Sequence, residues 1–216
     1  MKLYAHPFSS YCQKVLIALY ENDITFEFCM LAGDEATAAE HARLWPLKRM
    51  PVLVDGERTV VEASIIIEYL GLRCPGASRL IPEDREAALD VRMLDRFFDN
   101  YVMTPMQRIV VDHLRAEADR DPYGVTEART LLDVAYRWLE EALRGRTWAA
   151  GGEFSLADCA AAPALFYADW AHPLGASHPT VQAYRRRLLA RPSFARAVEE
   201  ARPYRPLFPP GAPDRD

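Results

Sequence analysis

The sequence signals for β-strands are confined to the first third of this 216-residue chain. Up to residue 61, short runs of β-branched and aromatic residues alternate with helical patterns, whereas no convincing strand pattern follows Arg85. Residues 73–78, which include the turn signal Pro75-Gly76, separate the two parts. We therefore predict an α/β domain over residues 1–76, a linker over 77–84 and an all-α helical bundle over 85–216.

The α/β domain is predicted to have the element order βαβαββα. The strand–helix–strand start implies a right-handed parallel crossover, and a hairpin that turns at Asp55-Gly56 adds antiparallel strands. We therefore expect a small mixed sheet with helices on its faces. The strands are predicted over residues 2–4, 25–30 and 50–61 (the hairpin), and the helices over 10–20, 34–44 and 62–72, the last burying Ile65, Ile66, Tyr69 and Leu70.

The helical domain is predicted to contain a long first helix over residues 85–113. Leu89, Met93, Phe97 and Tyr101 recur there at every fourth position, and Pro105 should kink or end its first part. Shorter helices are expected over 126–143, 179–190 and 193–202. A capping box, Ser155 to Asp158, begins a helix over 156–170 that is apolar nearly all round and should be the buried centre. The tail from residue 203 is expected to lie irregularly on the surface, with 209–216 disordered.

The composition excludes several classes of protein. Half of the residues are hydrophobic, 26% are charged and the net charge is −5, so a basic footprint for nucleic acid is absent. Residues 185–187, three arginines, are expected to form the solvated face of a helix. No apolar run approaches ~18 residues, and the chain begins directly with a strand, so we expect a cytoplasmic protein without a membrane span.

The four cysteines and five histidines do not have the spacing of a disulfide framework or a metal site. Cys29 and Cys159 lie in apolar runs and are expected to be buried thiols. We therefore predict no bound metal.

A turn at the start of the first helix is the first candidate for chemistry. Pro7 ends the first strand, and Ser9 or Ser10 can cap the helix that follows. A helix N-terminus stabilises negative charge, and here it lies beside two hydroxyl groups and the Cys12 thiol. We interpret this as a place where a thiolate is held.

Two further segments predict a binding groove for a short peptide. If the Met50–Pro51 bond is cis, the turn offers the main chain of Met50 to a peptide-like ligand. At the start of the next helix, free N–H groups suit a carboxylate, Glu62 suits an ammonium and Ser64 adds a donor. Each segment alone is typical of ordinary helix caps and strand edges; only their order and the sheet topology favour a groove.

Together, residues 7–15, 49–53 and 62–70 resemble the N-terminal, thioredoxin-like domain of cytosolic glutathione S-transferases, and the capping box at Ser155 resembles that of the family's helical domain. The resemblance covers essentially the whole chain. It implies a cytosolic homodimer with glutathione as cosubstrate; the mixed charges of residues 85–99 also fit dimerisation. Serine-type, zeta-like members carry a Ser-Ser motif here, which implies that Ser9 holds the glutathione sulfur as a thiolate, with Ser10 beside it.

The same resemblance assigns the glutathione-binding residues. It maps the cis-proline to Pro51, the main chain that grips the cysteinyl part to Met50, and the γ-glutamyl site to Glu62 and Ala63. Ala63 lacks the usual hydroxyl, which costs about 1 kcal/mol of binding free energy and for which Ser64 is expected to substitute in part. Trp45 is expected to pack against the sheet rather than to rim the groove. The full predicted set is Arg49, Met50, Pro51, Glu62, Ala63 and Ser64.

The position of the only nearby thiol favours conjugation over disulfide exchange. Aligned with a redox Cys-x-x-Cys motif, Ser9 takes the exposed position and Cys12 the shielded one. The attacking sulfur should therefore come from the ligand. Lowering its pKa by roughly two units from 8.5 needs about 2.7 kcal/mol, which a hydroxyl donor and a helix N-terminus supply.

The electrophile pocket is expected between the domains, although Tyr101 and Tyr167 also fit a purely structural core role. Its predicted residues are Phe8, Tyr11, Tyr101, Thr104, Gln107, Arg108 and Tyr167. The leading hypothesis is a glutathione transferase that uses Ser9 against a small apolar electrophile, as in detoxification. The alternatives are a non-catalytic glutathione-binding, ligand-binding or protein-interaction module and, more weakly, a glutathione-dependent isomerase or reductase that involves Cys12.

Overall fold

The α/β domain has the predicted order of elements. A computed structural model describes residues 1–74, 76 and 78–216. Its strands are β1 (Lys2–Ala5), β2 (Glu27–Met30), β3 (Val52–Asp55) and β4 (Arg58–Val61), and its helices are α1 (Ser10–Glu21), α2 (Glu35–Leu44) and α3 (Ala63–Arg73). Each predicted element is confirmed with ends shifted by one or two residues.

The strands form a mixed sheet in the order β2-β1-β3-β4. β1 pairs in parallel with β2 and antiparallel with β3, and β3 and β4 form the predicted hairpin. Leu3 pairs with Leu53, which pairs with Val60, so one buried apolar row crosses three strands. Helices α1 and α3 pack against each other. The predicted fold of this domain is therefore confirmed.

The long helical pattern after residue 85 runs to Asp112 without ending at Pro105, but it widens into a π-helical segment directly before that residue. Helix α4 (Arg85–Phe97) passes into a π-helical segment (Phe98–Met103), and α5 (Thr104–Asp112) follows. Pro105 lies in the first turn of α5, directly after the π-helical segment, and has no N–H to donate to the preceding turn. The bundle continues with α6 (Pro122–Ala142), α7 (Leu156–Ala171), α8 (Pro179–Leu189) and α9 (Pro192–Ala201).

Helix α7 is the buried centre of the helical domain, as predicted. Every residue from Leu156 to Trp170 is buried, and α7 packs against α1, α4 and α8. The capping box is also confirmed, because Asp158 Oδ2 accepts hydrogen bonds from the Ser155 N–H at 2.9 Å and the Ser155 hydroxyl at 3.0 Å. None of the helices within the described residues is both long enough and apolar enough to cross a bilayer.

Several burial predictions are wrong because partners remote in sequence decide which side of an element is covered. Ile65 is 53% exposed, and Ile67 is buried in its place. Cys29 is only partly buried because β2 is an edge strand. Arg185 is buried against Asp169, with Nη2 and Oδ2 3.4 Å apart, rather than solvated.

The C-terminal tail packs against the bundle rather than being disordered. Arg215 pairs with Asp169 of α7, and Asp216 pairs with Arg202 and Arg205. Asp169 is itself buried, and a buried carboxylate needs compensating charge, which the tail supplies. Pro75 and Ala77 lie outside the described residues, so the predicted turn at Pro75-Gly76 and the domain boundary there stay predictions.

Candidate active site

A polar cavity of about 480 Å³ lies between the domains at the N-terminus of α1. A larger one, of about 680 Å³, lies beside β2, and none of the predicted site residues is among the described residues that line it. The interdomain cavity is lined by Ser9, Tyr11, Trp45, Lys48, Arg49, Met50, Pro51, Glu62, Ala63, Arg96, Asp99, Asn100 and Gln107. The three segments singled out in the sequence therefore meet here.

Ser9 is the N-cap residue of α1, and its hydroxyl makes no capping hydrogen bond among the described residues. Its N–H donates to His6 O at 3.0 Å, and its C=O accepts from the Gln13 N–H at 2.9 Å. The main chain is therefore held while the hydroxyl remains available at the positive end of the helix. Ser10 does not line the cavity, because as the first residue of α1 it is buried.

Cys12 is shielded, as predicted. It is 0% exposed, and burial raises the pKa of its thiol to about 11, although the Ser9 hydroxyl and the His6 main chain oppose the shift. A thiol that is neutral at pH 7 and out of contact with solvent is a poor nucleophile. The attacking sulfur of any thiol chemistry at this site must therefore come from a ligand.

The Met50–Pro51 peptide bond is cis, and both residues line the cavity. The segment is anchored from behind, because buried His41 places Nε2 at 3.0 Å from Arg49 O. Sheet pairing of β3 begins only at Val52. The main chain of Met50 therefore lies outside the ladder, next to the cavity.

The start of α3 forms the opposite wall. Glu62 is the N-cap of α3 with a φ of 70°, a conformation that costs free energy for any residue other than glycine, and no capping bond of its side chain exists in the described part of the chain. Strained backbone of this kind clusters at ligand sites. Ala63 follows at the first helical position, so the free N–H groups of the helix N-terminus lie beside the cavity.

Ser64 does not replace the hydroxyl missing at Ala63, and that prediction is wrong. Its Oγ accepts a hydrogen bond from Lys14 Nζ at 2.9 Å and donates to Asp95 Oδ2 at 2.8 Å. As the second residue of α3 it is directed at α1 and α4 and is buried. Its hydroxyl is therefore committed to the protein interior.

A buried ionic cluster behind Ser64 was missed by the sequence analysis. Lys14 Nζ lies 2.5 Å from Asp95 Oδ1 and 2.8 Å from Asp99 Oδ2, and Arg96 lies 2.7 Å and 2.6 Å from the same two carboxylates. Burial raises the pKa of Asp99, while the Lys14 ammonium opposes the shift. A lysine among the apolar residues of α1, and two carboxylates four residues apart, Asp95 on α4 and Asp99 on the π-helical segment, were the available signals.

Only part of the predicted electrophile pocket lines the cavity. Tyr11 and Gln107 do, and burial raises the pKa of Tyr11 to about 12, with Asp99 adding to the shift. Trp45 also lines the cavity, contrary to the expected packing role. Polar and charged side chains predominate in its walls, so an apolar pocket is not apparent.

The other predicted pocket residues do not line the cavity. Tyr101 is 49% exposed beside Phe97, and the Thr104 hydroxyl donates to Asp99 O at 2.9 Å. Arg108 forms an ion pair with Glu127 of α6, with Nη1 and Oε2 3.6 Å apart. Phe8 and Tyr167 pack edge to face with ring centroids 5.4 Å apart, behind the cavity.

Both domains of this chain resemble known proteins. Residues 3–78 match the family model described as glutathione S-transferase, N-terminal domain, and residues 99–192 match the corresponding C-terminal domain. A probable maleylacetoacetate isomerase of Vibrio cholerae is 31% identical over 215 residues, which cover 93% of this chain and 96% of that protein. The chain belongs to the glutathione S-transferase family.

Solved glutathione S-transferases share the whole architecture. The enzyme of Methylobacterium radiotolerans, crystallised with glutathione sulfonate, is 31% identical with a TM-score of 0.79 and covers 91% of this chain and 93% of its own. The enzyme of Methylobacillus flagellatus, crystallised with glutathione, is 26% identical with a TM-score of 0.82 and covers 91% and 98%. In residues 1–74, 76 and 78–216, no three His, Cys, Asp or Glu side chains of this glutathione S-transferase are grouped to hold a metal ion.

Proposed function

We propose that this glutathione S-transferase binds glutathione in the interdomain cavity and that Ser9 activates its thiol for attack on a small electrophile. The observation that carries the proposal is the Ser9 hydroxyl, which makes no helix-capping hydrogen bond within the described part of the chain and lies at the N-terminus of α1, where the cavity opens. The buried, high-pKa Cys12 thiol supports a sulfur supplied by the ligand.

The charges of the cavity fit the peptide. The ammonium of the γ-glutamyl end is placed beside Glu62, and its carboxylate beside the free N–H groups at Ala63. Met50 holds the cysteinyl main chain, and Lys48 and Arg49 supply positive charge for the second carboxylate. Two solved relatives crystallised with glutathione or its sulfonate support this ligand.

The energy that thiol activation needs is within the reach of the groups present. Lowering the pKa of a thiol by roughly two units requires about 2.7 kcal/mol. A hydrogen bond to a charged sulfur contributes about 1.5–3 kcal/mol, and a helix N-terminus about 0.3–1 kcal/mol. In conjugation, the thiolate forms a bond to the electrophilic carbon while that carbon's leaving group departs with the bonding electron pair.

A second candidate reaction is cis–trans isomerisation by the same thiolate. Addition of the thiolate to a conjugated double bond leaves a single bond that rotates, and expulsion of the thiolate restores the double bond and glutathione. The Vibrio cholerae relative, and a rat protein that is 26% identical, are named maleylacetoacetate isomerases. The charged and polar walls of the cavity also favour a substrate with polar groups over the small apolar electrophile first expected.

Ser9→Ala tests the proposal. We expect the variant to bind glutathione with little change, because other residues hold the peptide, but to raise the pKa of the bound thiol by about one to two units. Turnover of a chlorodinitrobenzene-type electrophile at pH 7 should fall roughly 3- to 25-fold, in proportion to the lost thiolate. The pKa is measured from the ultraviolet absorbance of the thiolate as the pH is varied.

Cys12→Ser is the matched control, since it removes the neighbouring sulfur and should leave turnover unchanged. Equal rates for wild type and Ser9→Ala would exclude Ser9 as the activating group. Absence of glutathione binding in calorimetry would instead favour the non-catalytic module. Glutathione consumed in step with product indicates conjugation, and glutathione regenerated indicates isomerisation.

We also propose that the protein is a homodimer. Large apolar side chains remain exposed along α4 and α6, and the Phe97 and Trp138 rings stack with centroids 4.3 Å apart, which joins the two stripes into one face. Contiguous apolar surface of this kind marks protein–protein contact. The face comprises Leu89, Met93, Tyr101, Leu131, Val134 and Trp138, which are 39–61% exposed.

A further inference from the structure

We infer that Tyr167, from the helical domain, is a positioning residue for Ser9. Its hydroxyl holds the main chain of the turn that carries Ser9, so the second domain sets where the activating hydroxyl lies. This inference rests on the proposed role of Ser9 and assigns Tyr167 a role other than the pocket contact expected from the sequence.

Two side chains hold the two carbonyl groups that come directly before Ser9. The Tyr167 hydroxyl donates to Phe8 O at 3.1 Å and accepts a hydrogen bond from Gln13 Nε2 at 3.1 Å. Gln13 Nε2 donates its other hydrogen to Pro7 O at 3.0 Å. The O–H of Tyr167 and both N–H groups of the Gln13 amide therefore donate hydrogen bonds either to this turn or from one of these side chains to the other.

The two side chains are sealed from solvent. Tyr167 is 3% exposed and Gln13 is 0% exposed. Burial raises the pKa of Tyr167, so the phenol keeps its proton and remains a donor at neutral pH. Hydrogen bonds in such a buried setting are worth more than the same contacts at a surface, because the local dielectric is low.

The orientation of the Gln13 amide is set by the groups around it. Its Oε1 has no hydrogen-bond partner in the described part of the chain. Turning the amide around would bring this oxygen against the Pro7 carbonyl oxygen, so both donors must face the turn. An unsatisfied buried polar atom is uncommon, and here it accompanies the fixing of the main chain next to the site.

The turn is held on its other side as well. The Ser9 N–H donates to His6 O at 3.0 Å, and the Phe8 N–H bonds to His6 Nδ1 at 3.1 Å. Among the described residues, Tyr167 therefore supplies the hydrogen bond from the helical domain to a turn whose other main-chain hydrogen bonds lie within the α/β domain, while Tyr204 packs edge to face on His6 with ring centroids 4.7 Å apart. Activation of a thiol by one hydroxyl requires placement within about 0.5 Å, so loosening this contact weakens the donor.

Tyr167→Phe is the test, because it removes the hydroxyl and retains the ring packing. We expect the thiol pKa of bound glutathione to rise, kcat near neutral pH to fall about three- to tenfold, and KM for glutathione to stay unchanged. The difference from wild type should vanish at alkaline pH, where glutathione ionises without help. A loss of packing alone would lower the rate at every pH.

Tyr136→Phe is the matched control. Its hydroxyl likewise donates to a carbonyl, His172 O at 3.1 Å, and the residue is 1% exposed, but it lies in α6 and outside the cavity. We expect Tyr136→Phe to lower Tm about as much as Tyr167→Phe does, and to leave the pH profile of kcat unchanged. Gln13→Met, which removes both amide donors, is the second variant and should shift the profile in the same direction as Tyr167→Phe.

Measured beside Ser9→Ala, these variants separate the inference from the proposed function. An alkaline shift in Tyr167→Phe and Gln13→Met, absent in Tyr136→Phe, supports the inference. If Ser9→Ala loses the thiolate signal and the other two keep the wild-type profile, the inference fails and the proposed function stands. If Ser9→Ala keeps the wild-type thiolate signal, the proposed function fails and the inference with it.

Discussion

Ser9 and Cys12 lie three residues apart at the N-terminus of α1 and occupy opposite environments. Ser9 lines the cavity, whereas Cys12 is fully buried with its pKa raised to about 11 by burial. Ala63 differs from both, because it reaches the cavity and has no polar atom in its side chain. Single side chains therefore set what the cavity offers a ligand: the Ser9 hydroxyl for a sulfur and, at Ala63, main-chain N–H groups without a side-chain donor for the γ-glutamyl carboxylate.

Ala63→Ser should tighten glutathione binding. The new hydroxyl lies at the first position of α3 and can donate to the γ-glutamyl carboxylate, which is worth about 1 kcal/mol, or a roughly fivefold lower Kd. Isothermal titration calorimetry measures the change. Ala63→Val, which adds methyl groups without a donor, should bring no gain. An equal gain in both variants would show that packing, and not the hydrogen bond, limits affinity.

Helix α1 is held in place by charge as well as by apolar packing. Its Lys14 lies between Asp95 and the π-helical segment, whose wider turn carries Asp99 to within 2.8 Å of the ammonium. Arg96 closes the same cluster and also lines the cavity. The helix that carries Ser9 is thus locked to α4 just behind the site.

Lys14→Met should destabilise the protein by about 3–5 kcal/mol, because Asp95 and Asp99 would keep their buried charges with one partner fewer. For a chain of this length, that lowers Tm by roughly 6–20 °C. Differential scanning calorimetry measures the change. The control is Lys2→Met, whose exposed pair with Glu27 at 3.7 Å contributes about 0–1 kcal/mol.

The loss of unfolding free energy caused by Lys14→Met should become smaller as the pH falls. Burial already raises the pKa of Asp99, and loss of the ammonium raises it further. A carboxyl whose pKa is higher in the folded than in the unfolded state takes up protons on folding, so its variant gains stability from about pH 7 to about pH 5. A deficit that is constant over this range would place the effect in packing instead.

The two domains of the molecule act as one unit around the site. Helix α1 packs against α7 and α9, and Glu21 binds Arg191 with distances of 2.7 Å and 2.5 Å between their paired atoms. The cavity takes its activating end from the first domain and Arg96, Asp99 and Gln107 from the second. The homodimer, the cytoplasmic location and a role in detoxification stay predictions.

Met93→Asp tests the homodimer. The substitution places a charge in the centre of the apolar face on α4 and α6, so we expect a monomer of 24.5 kDa where wild type has twice that mass. Light scattering after size-exclusion chromatography measures the mass. Leu207→Asp, at a residue that is 60% exposed outside this face, should leave the dimer intact. A wild-type mass of 24.5 kDa would refute the proposal.

The sequence by itself determined the order of elements, the capping box at Ser155 and the meeting of Ser9, Met50 and Ala63 at one cavity. These follow from local rules of propensity, capping and proline geometry, and from a motif order that a known topology brings together. Contacts between residues that are distant in sequence therefore change these features little.

Only the tertiary structure decided which neighbouring side chains reach the cavity. Ser64 and Ala63 are adjacent in sequence, yet Lys14 and Asp95 hold Ser64 in the interior. Tyr167 was expected to wall a pocket, and the carbonyl of Phe8 holds its hydroxyl behind the site instead. Helical periodicity predicts that a stripe is buried, but the direction of each polar side chain depends on partners more than 30 residues away, which no local pattern contains.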